Sequence, residues 1–553
     1  MSDLHLAFWP KSQPHHLTVP QTSLLYNMEV SATRFPDKQF LIFYDTPLTF
    51  SEFKDGVERI AGFLEQECGI VKGDRVLLYM QNSPQFILAY YGILRANAVV
   101  VPINPMNLTN ELRHYVDDSG AHTAFVPQDL YCHIEPLVGQ GIKHVVVAAY
   151  ADYVHSATDL TLPAFIAAPR QEIIADGVVL WNDMMERHLR PGKLTVGSDD
   201  LAVMPYTSGT TGHPKGCMHT HKSVMYNVLS GIQWLSSQQD SVVLSVLPFF
   251  HVTGMLGGMH GPLYVGSTVV LLPRWDRDAA AEFIKRYKVN GVQLISTMVV
   301  DLLSSPNIDQ YELSSLTRIS GGGAAMPEAI AQKFNDLLGV PYLEGYGMSE
   351  TISATHINPP ERPKKQCLGI PIYDVDARVV DPETMRELPP GEVGEIIVHG
   401  PQLMRGYWNN AAATAEVFVD IDGKRFLRTG DLALVDEDGY FFMKDRLKRM
   451  INAAGFKIWP AEVEALMYQH PAIQEVCVIA KRDTRRGETV KAVIVLKAAF
   501  RNNVSEQDII DWAHLNMATY KCPRSVEFCD ALPKSATGKL LWRKLQDNEA
   551  DGA

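Results

Sequence analysis

A strand–helix–strand rhythm through the first two-thirds of the chain is the feature that most constrains its fold. Residues 48–50 have strand character, and helical apolar spacing follows over 51–69, with Ser51 placed to cap that helix. Residues 76–79 are apolar and β-prone, 84–96 return to helical spacing, and 99–101 return to strand character. Parallel strands need a long crossover, usually a helix, so this spacing predicts βαβ units and a parallel sheet. The pattern recurs as a helix over 110–118 with a strand at 123–126, and as a helix over 279–287 with a strand at 291–295. The expected class is α/β, with doubly wound sheets in a large N-terminal domain.

Beyond Gly369 the texture changes. Short strands at 377–380, 394–398, 431–435 and 440–443 are separated by the turn signals Pro389-Pro390-Gly391 and Asp436-Glu437-Asp438-Gly439. This predicts a small, β-barrel-like subdomain over about 370–445, within a domain spanning 1–445. The charged run Lys444-Asp445-Arg446-Leu447-Lys448-Arg449 is expected to interrupt the strands. A helix over 460–469, strands at 476–480 and 490–496 and a helix over 505–517 then form a smaller α+β domain, 446–553. That length is a common domain size.

The chain has 553 residues, of which 46% are hydrophobic, enough for a large core. Its net charge of −13 argues against nonspecific nucleic-acid binding, which needs a basic surface. Seven cysteines without paired spacing suit a reducing compartment, so a cytoplasmic location is expected. Residues 1–20 lack a basic start followed by an apolar stretch, and Asp551-Gly552-Ala553 matches no peroxisomal address. Residues 241–273 contain no Asp, Glu, Lys or Arg, but Pro248, Pro262, five glycines and two histidines break the stretch. A strand, a pocket wall and a second strand explain it better than a membrane span.

The densest chemical signal is Tyr206-Thr207-Ser208-Gly209-Thr210-Thr211-Gly212-His213-Pro214-Lys215-Gly216. Glycines let backbone N–H groups approach an anion, hydroxyls donate to phosphate oxygens, and the lysine adds a point charge. It differs from the common nucleotide P-loop, because Pro214 precedes the lysine and Gly216 follows it. Cys217-Met218-His219-Thr220-His221, just beyond, has no second cysteine pair to complete a zinc site.

This loop resembles the signature of the acyl-adenylate-forming superfamily, which includes acyl-CoA synthetases, aryl-CoA ligases, beetle luciferases and peptide-synthetase adenylation domains. The resemblance covers about residues 49–545, with the motifs in the family's order, and is closest to fatty acyl-CoA ligases. It implies that Thr207, Ser208, Gly209, Thr210, Thr211, Gly212 and Lys215 hold ATP phosphates. It places Gly322, Gly323 and Ala324 against adenine and the acyl pocket, although alone that glycine run reads as a tight turn into a helix. Glu344, Gly345, Tyr346, Gly347, Met348, Ser349 and Thr351 complete the nucleotide set, with Ser349 where the family usually has Thr. Glu350 and Thr207 are the expected Mg²⁺ ligands. Asp431 in Thr429-Gly430-Asp431 matches the ribose clamp, and Asp436 and Asp438 read as turn residues. Arg446 falls where a ribose- and phosphate-contacting arginine sits, though by itself it is one more charge in a solvated run.

Lys448 occupies the family's hinge position. Gly455, Phe456 and Lys457 resemble the loop lining the entry of the thiol donor, CoA. Lys539 in Pro533-Lys534-Ser535-Ala536-Thr537-Gly538-Lys539 is the first choice for catalysis, with Glu350, Thr207 and His251 beside it. By resemblance, a substrate carboxylate attacks the α-phosphate of ATP, pyrophosphate leaves, and a thiolate then attacks the mixed anhydride. Between the two steps the family's C-terminal domain rotates about the hinge.

His251 resembles the aromatic-type gate of acyl- and aryl-CoA ligases, and Met255, Met259, Met298 and Met326 are candidates to line an adaptable apolar cavity. The uncharged surroundings of His251 argue against amino-acid substrates, whose buried ammonium needs a counter-charge. The favoured substrate is a medium- or long-chain fatty acid, with an aryl or arylalkanoic acid as the alternative. A loader of a separate carrier protein is a further reading, since only fourteen residues follow Lys539. The expected partners are therefore a small carboxylic acid, ATP and CoA, with no nucleic acid and no integral membrane segment; a homodimer is left open.

Overall fold

The computed structural model describes residues 4–207, 214–323, 326–453, 456–483, 486–501, 503–534 and 540–551, without the side chains of Lys448, Phe456 and Lys457. Its contacts divide the chain into two compact units. The larger comprises His5–Asp376 and His399–Leu427; the smaller is chiefly Ala377–Val398 and Arg428–Ala553.

Two sheets build the larger unit. In the first, the strands Tyr342–Met348, Arg318–Gly322, Gly291–Gln293, Val242–Ser245, Thr268–Leu271 and Gln39–Phe43 lie side by side and all parallel. Antiparallel strands finish both edges, Ser353–Ile357 and Ile370–Pro371 on one side and Thr46–Thr49 on the other. In the second, Leu201–Val203, Val99–Pro102, Arg75–Leu78, Thr123–Pro127, His144–Ala148 and Val178–Leu180 are parallel neighbours. Strands buried on both faces read as continuous apolar runs, as Val99–Pro102 does with all its residues buried. The doubly wound α/β class stands.

The first long helix starts earlier than the residue types suggest. It runs Phe50–Gln66, and its cap is Thr49, not Ser51. Thr49 has extended backbone and its hydroxyl accepts from the Glu52 N–H at 3.2 Å, while the Glu52 carboxylate accepts from the Thr49 N–H at 2.8 Å. That reciprocal capping box needs a Glu three residues on, which Thr49 has and Ser51 lacks.

The uncharged stretch is strand, helical wall, strand. Val242–Ser245 leads into a helical turn Val252–Met255, a π-helical turn Leu256–His260, the helix Gly261–Val265 and the strand Thr268–Leu271. Among the described residues no helix is long and apolar enough to cross a membrane. Cys217, His219 and His221 form no metal cluster among the described residues; His219 and His221 are buried and held near pKa 4 by that burial.

In the smaller unit the charged run interrupts the strands only in its second half, Leu447–Arg449; its first half is strand. Phe441–Arg446 is one strand, paired antiparallel with the preceding long strand Lys424–Val435, so that Asp431 faces Arg446. Strand side chains alternate, so Asp445 turns inward and is buried while Lys444 is exposed. Asp436 closes the turn between these strands by accepting from the N–H groups of Asp438 and Tyr440.

Further along, Phe456–Ile458, Ile451–Ala453, Gly487–Leu496 and Ile473–Asp483 form a sheet joined by Ser525–Phe528. Val476 and Val478 pack on one face with Val463 and Ile509, while Cys477 and Ile479 pack on the other with Leu532. Helices Pro460–Met467, Glu506–Asn516 and Trp542–Asp551 complete this α+β part. Lys448 lies in a short 3₁₀ turn, Leu447–Arg449.

Replacing Thr49 with Ala should destabilise the protein by about 1 kcal/mol in chemical denaturation, whereas Ser51→Ala should change it by less than about 0.5 kcal/mol. Equal effects would contradict the cap assignment.

Candidate functional site

The two flanks of the glycine-rich segment pair with each other. Tyr206–Thr207 pairs antiparallel with Lys215–Gly216, which sets Thr207 directly opposite Lys215. Ser208, Gly209, Thr210, Thr211 and Gly212 lie outside the described residues. The flanks are fixed from several sides. The Tyr206 hydroxyl donates to Asp118 at 2.6 Å, His114 Nε2 meets the Pro214 carbonyl at 2.7 Å, and the Trp408 N–H donates to the Gly216 carbonyl at 2.8 Å.

The hairpin lies against the 3₁₀ turn Ser349–Thr351. Glu350 is buried, and its Oε1 accepts from the Tyr407 hydroxyl at 2.7 Å. The Lys215 ammonium sits over the Tyr407 ring, 4.9 Å from its centre. Lys215, Tyr407 and Glu350 thus form one continuous contact chain. Burial, and then the Glu350 charge, push the Tyr407 phenol well above its ordinary value, so it remains a donor.

His219 holds the same turn from beneath: its Nε2 lies 2.7 Å from the Ser349 carbonyl. A carbonyl only accepts, so Nε2 carries the proton, and burial keeps the ring neutral with a pKa near 4. The Thr351 hydroxyl is buried and committed to its own loop, accepting from the Met348 N–H and donating to the Ser353 carbonyl at 2.6 Å.

Beside this turn, the parallel pairing of two strands ends, and one of them runs on to Met348. Gly322 pairs with Gly345, and a Cβ on Gly322 would fall 2.3 Å from the Gly345 carbonyl oxygen. Gly323 follows with φ of 84°, a left-handed conformation that favours glycine. Ala324 lies outside the described residues. Glu344, one residue before Gly345, is 7% exposed, and both of its oxygens are taken: Oε1 by the Met326 N–H at 2.6 Å and Oε2 by the Cys367 N–H at 3.0 Å. Burial pushes it up to about 7, against the pull of those two N–H groups. Tyr346 and Met348 are half-buried and Gly347 exposed on the same strand.

A cavity of about 120 Å³ lies between the first sheet and the helices packed on it. Val228, Ile232, Leu256 and Val292 line it with the glycines Gly231 and Gly257, and Ser320 lines it two residues before Gly322 on the same strand. None of Met255, Met259, Met298 and Met326 lines it; Met255, Met259 and Met326 are buried in the core instead. Short residues leave space where a methionine would fill it. His251 is exposed and caps the adjoining helical turn, its Nδ1 accepting from the Thr253 N–H at 3.4 Å. Thr253 itself lines the cavity.

In the smaller unit, Asp431 is 1% exposed and its Oδ1 is 2.9 Å from Arg446 Nε. Thr429 braces this carboxylate's backbone: its hydroxyl donates to the Ile396 carbonyl at 2.7 Å and accepts from the Asp431 N–H at 3.1 Å. Arg446 is therefore an ion-pair partner, not merely another solvated charge. Lys539 and Gly455 lie outside the described residues, as do the side chains of Phe456 and Lys457.

Tyr407, His219 and Asp118 were not legible as site residues. Each acts through a partner far away in sequence, and Gly406-Tyr407-Trp408 has no local pattern that marks a hydroxyl donor.

Glu344 binds its proton more tightly in the folded than in the unfolded chain, where an ordinary Glu titrates near 4.3. Its contribution to stability is fully present below that unfolded value and is lost as pH rises through about 7. Glu344→Gln, a neutral mimic, should flatten the decline in unfolding free energy between pH 5 and 8 by up to about 3 kcal/mol. Parallel pH profiles for the two proteins would contradict the assignment.

The family described as AMP-binding enzyme matches residues 28–408, and its C-terminal domain family matches residues 462–539. A long-chain-fatty-acid–CoA ligase of Bacillus subtilis (strain 168) is 35% identical, over 99% of this chain and 98% of its own. A probable 4-coumarate–CoA ligase of Dictyostelium discoideum is 32% identical, over 93% of this chain and 92% of its own. The crystal structure of ATP-bound MatB from Rhodopseudomonas palustris superimposes with a TM-score of 0.84 at 25% identity, covering 96% of this chain and 99% of that one. Matched along nearly its whole length, the chain belongs to the AMP-binding enzyme family, among its AMP-forming acyl-CoA ligases.

Proposed function

We propose that this enzyme joins a medium- or long-chain fatty acid to AMP with release of pyrophosphate, then transfers the acyl group to CoA. One observation carries the reading. A hairpin presenting Thr207 and Lys215 abuts the Glu350 turn, and the strand that ends at Gly322 also lines an apolar cavity. The Glu350 turn follows one strand of the first sheet and the cavity lies on that same sheet, so the candidate anion-binding groups lie near the carboxyl ends of its strands, where α/β sheets bind ligands. The name of the Bacillus subtilis relative points the same way, and that of the Dictyostelium discoideum relative to an aryl acid.

Lys215 and the backbone of the loop bind the phosphates of ATP. Glu350 and Thr207 fit Mg²⁺, which takes carboxylate and hydroxyl oxygens alongside phosphate oxygens; there it would neutralise phosphate charge. Tyr407 and His219 fix the Glu350 turn, and Glu344 positions Met326 by holding its N–H. Beside Gly345, Gly322 and Gly323 leave bare backbone for the adenine, since a Cβ on Gly322 would meet the Gly345 carbonyl oxygen and Gly323 is left-handed. Asp431 accepts from the ribose hydroxyls while Arg446 holds its charge. Lys539 stabilises charge on the reacting carboxylate and α-phosphate, and the 455–457 segment serves CoA. His251, at the helical turn that borders the cavity, faces the acyl end.

A second reading has its own support. An engineered cavity of about 150 Å³ admits benzene, so a space of about 120 Å³ suits a ring or a short chain without rearrangement. An aryl acid is then the substrate.

Pyrophosphate release and CoA-thioester formation with a panel of aliphatic and aryl acids separate these readings. Aliphatic turnover at higher kcat/KM supports the first, and aryl turnover the second; no thioester from any acid with free CoA sinks both. Lys539→Ala should lower adenylate formation by about 10²–10³ while largely sparing thioesterification of a supplied acyl-adenylate. Equal loss in both half-reactions would contradict its role.

A further inference from the structure

We propose that the acid activated here carries a second carboxylate at the end remote from the reacting one, and that Arg318 binds it. This rests on the ligase reading above and narrows its substrate from a plain alkyl acid to an ω-carboxylated one.

Arg318 is the one charged residue among those lining the cavity. It begins the strand Arg318–Gly322, whose other end meets Gly345. Four residues of strand at about 3.3 Å each put it roughly 13 Å from the glycines. Neighbouring strands run parallel, with Val243, Gly291 and Arg318 in register, and all three line the cavity. The cavity therefore extends along the strands, with the nucleotide motif at their carboxyl ends and the guanidinium at the opposite end. A chain whose reacting carboxylate is near Gly322 points its tail toward Arg318.

The guanidinium is half-buried, and among the described residues no carboxylate pairs with it. It donates to the Ser236 carbonyl at 3.3 Å, Ser241 Oγ at 2.6 Å and Asn290 Oδ1 at 3.1 Å, all of them neutral. Burial lowers its pKa, and no acidic neighbour raises it again. Gly291 leaves room beside it: a Cβ there would lie 3.5 Å from one of its terminal nitrogens. An arginine has five N–H donors in a fork that matches a carboxylate, and these three contacts do not exhaust them. A methyl terminus would leave the cation facing hydrocarbon, whereas a carboxylate pairs with it through charge-assisted hydrogen bonds.

The test compares α,ω-dicarboxylic acids, from adipic to dodecanedioic, with monocarboxylic acids of equal carbon number, in CoA-thioester formation by the full-length enzyme. The wild type should favour the best diacid over its matched monoacid by about 10²-fold in kcat/KM. Arg318→Leu should lose about 10²-fold on the diacid, mainly through KM, and keep or gain activity on the monoacid. Arg318→Lys should recover part of the diacid activity. A wild-type preference for monoacids overturns the proposal, and so does a variant that loses activity on both acids alike. If neither variant folds, the wild-type preference alone decides. Monoacid turnover with an unchanged ratio would sink only this inference, whereas no thioester from any acid would sink the ligase reading itself.

Discussion

The hydrogen bond from the Tyr407 hydroxyl to the Glu350 carboxylate, 2.7 Å long and away from water, anchors the candidate site in the larger unit. A buried carboxylate is costly unless hydrogen-bonded, and a donor to a charged acceptor makes one of the stronger contacts available. Several constraints converge on this pair. The Met404 N–H donates to the Glu350 carbonyl at 2.9 Å, His219 holds the preceding carbonyl, and Asn227 donates to the carbonyls of Thr351 and Ile352. The Lys215 ammonium over the Tyr407 ring then ties the phosphate hairpin to the same point through a cation–π contact. Catalysis by preorganised charge requires this kind of rigidity, because groups already in place need no reorganisation during reaction.

The glycines work with that rigidity. Where the parallel pairing of two adjacent strands ends, Gly322 and Gly345 approach so closely that any side chain on Gly322 would clash with backbone. Glu344 tightens the same corner with both oxygens, pinning residues far apart in sequence, Met326 and Cys367. The result is a flat, backbone-lined surface next to a carboxylate turn. From the same strand the cavity runs the other way, so in the proposed reading nucleotide and acid lie along one strand.

What could be read from residues alone followed the range of the interactions involved. Parallel strands such as Val99–Pro102 announce themselves by apolar runs, whereas the hydroxyls and lysine of the glycine-rich segment suggest a ligand but not the antiparallel pairing of its flanks. The pairing of Asp431 with Arg446 was hidden by a local rule: a charge run looks solvated, yet alternation along a strand buries Asp445 and lines Arg446 up with its partner. The cap at Thr49 was displaced by two residues because Ser51 is an equally good cap by type, and only the reciprocal Glu52 contact separates them. Tyr407, His219 and Arg318 were illegible for a different reason. Each takes its meaning from contacts more than twenty-five residues distant, and nothing in the adjacent residues signals them. The four candidate methionines do not line the cavity of about 120 Å³, whose space is made by glycines and branched aliphatics.

The central claim is that these residues form an acyl-adenylate reversibly from ATP and a carboxylic acid. Isotope exchange between labelled pyrophosphate and ATP, measured with the purified full-length protein in the absence of CoA, addresses it most directly. The account predicts exchange that depends strictly on an added acid and is lost when Glu350 is replaced by Gln. Exchange without acid, or none with any acid of the aliphatic, dicarboxylic and aryl classes, would contradict it.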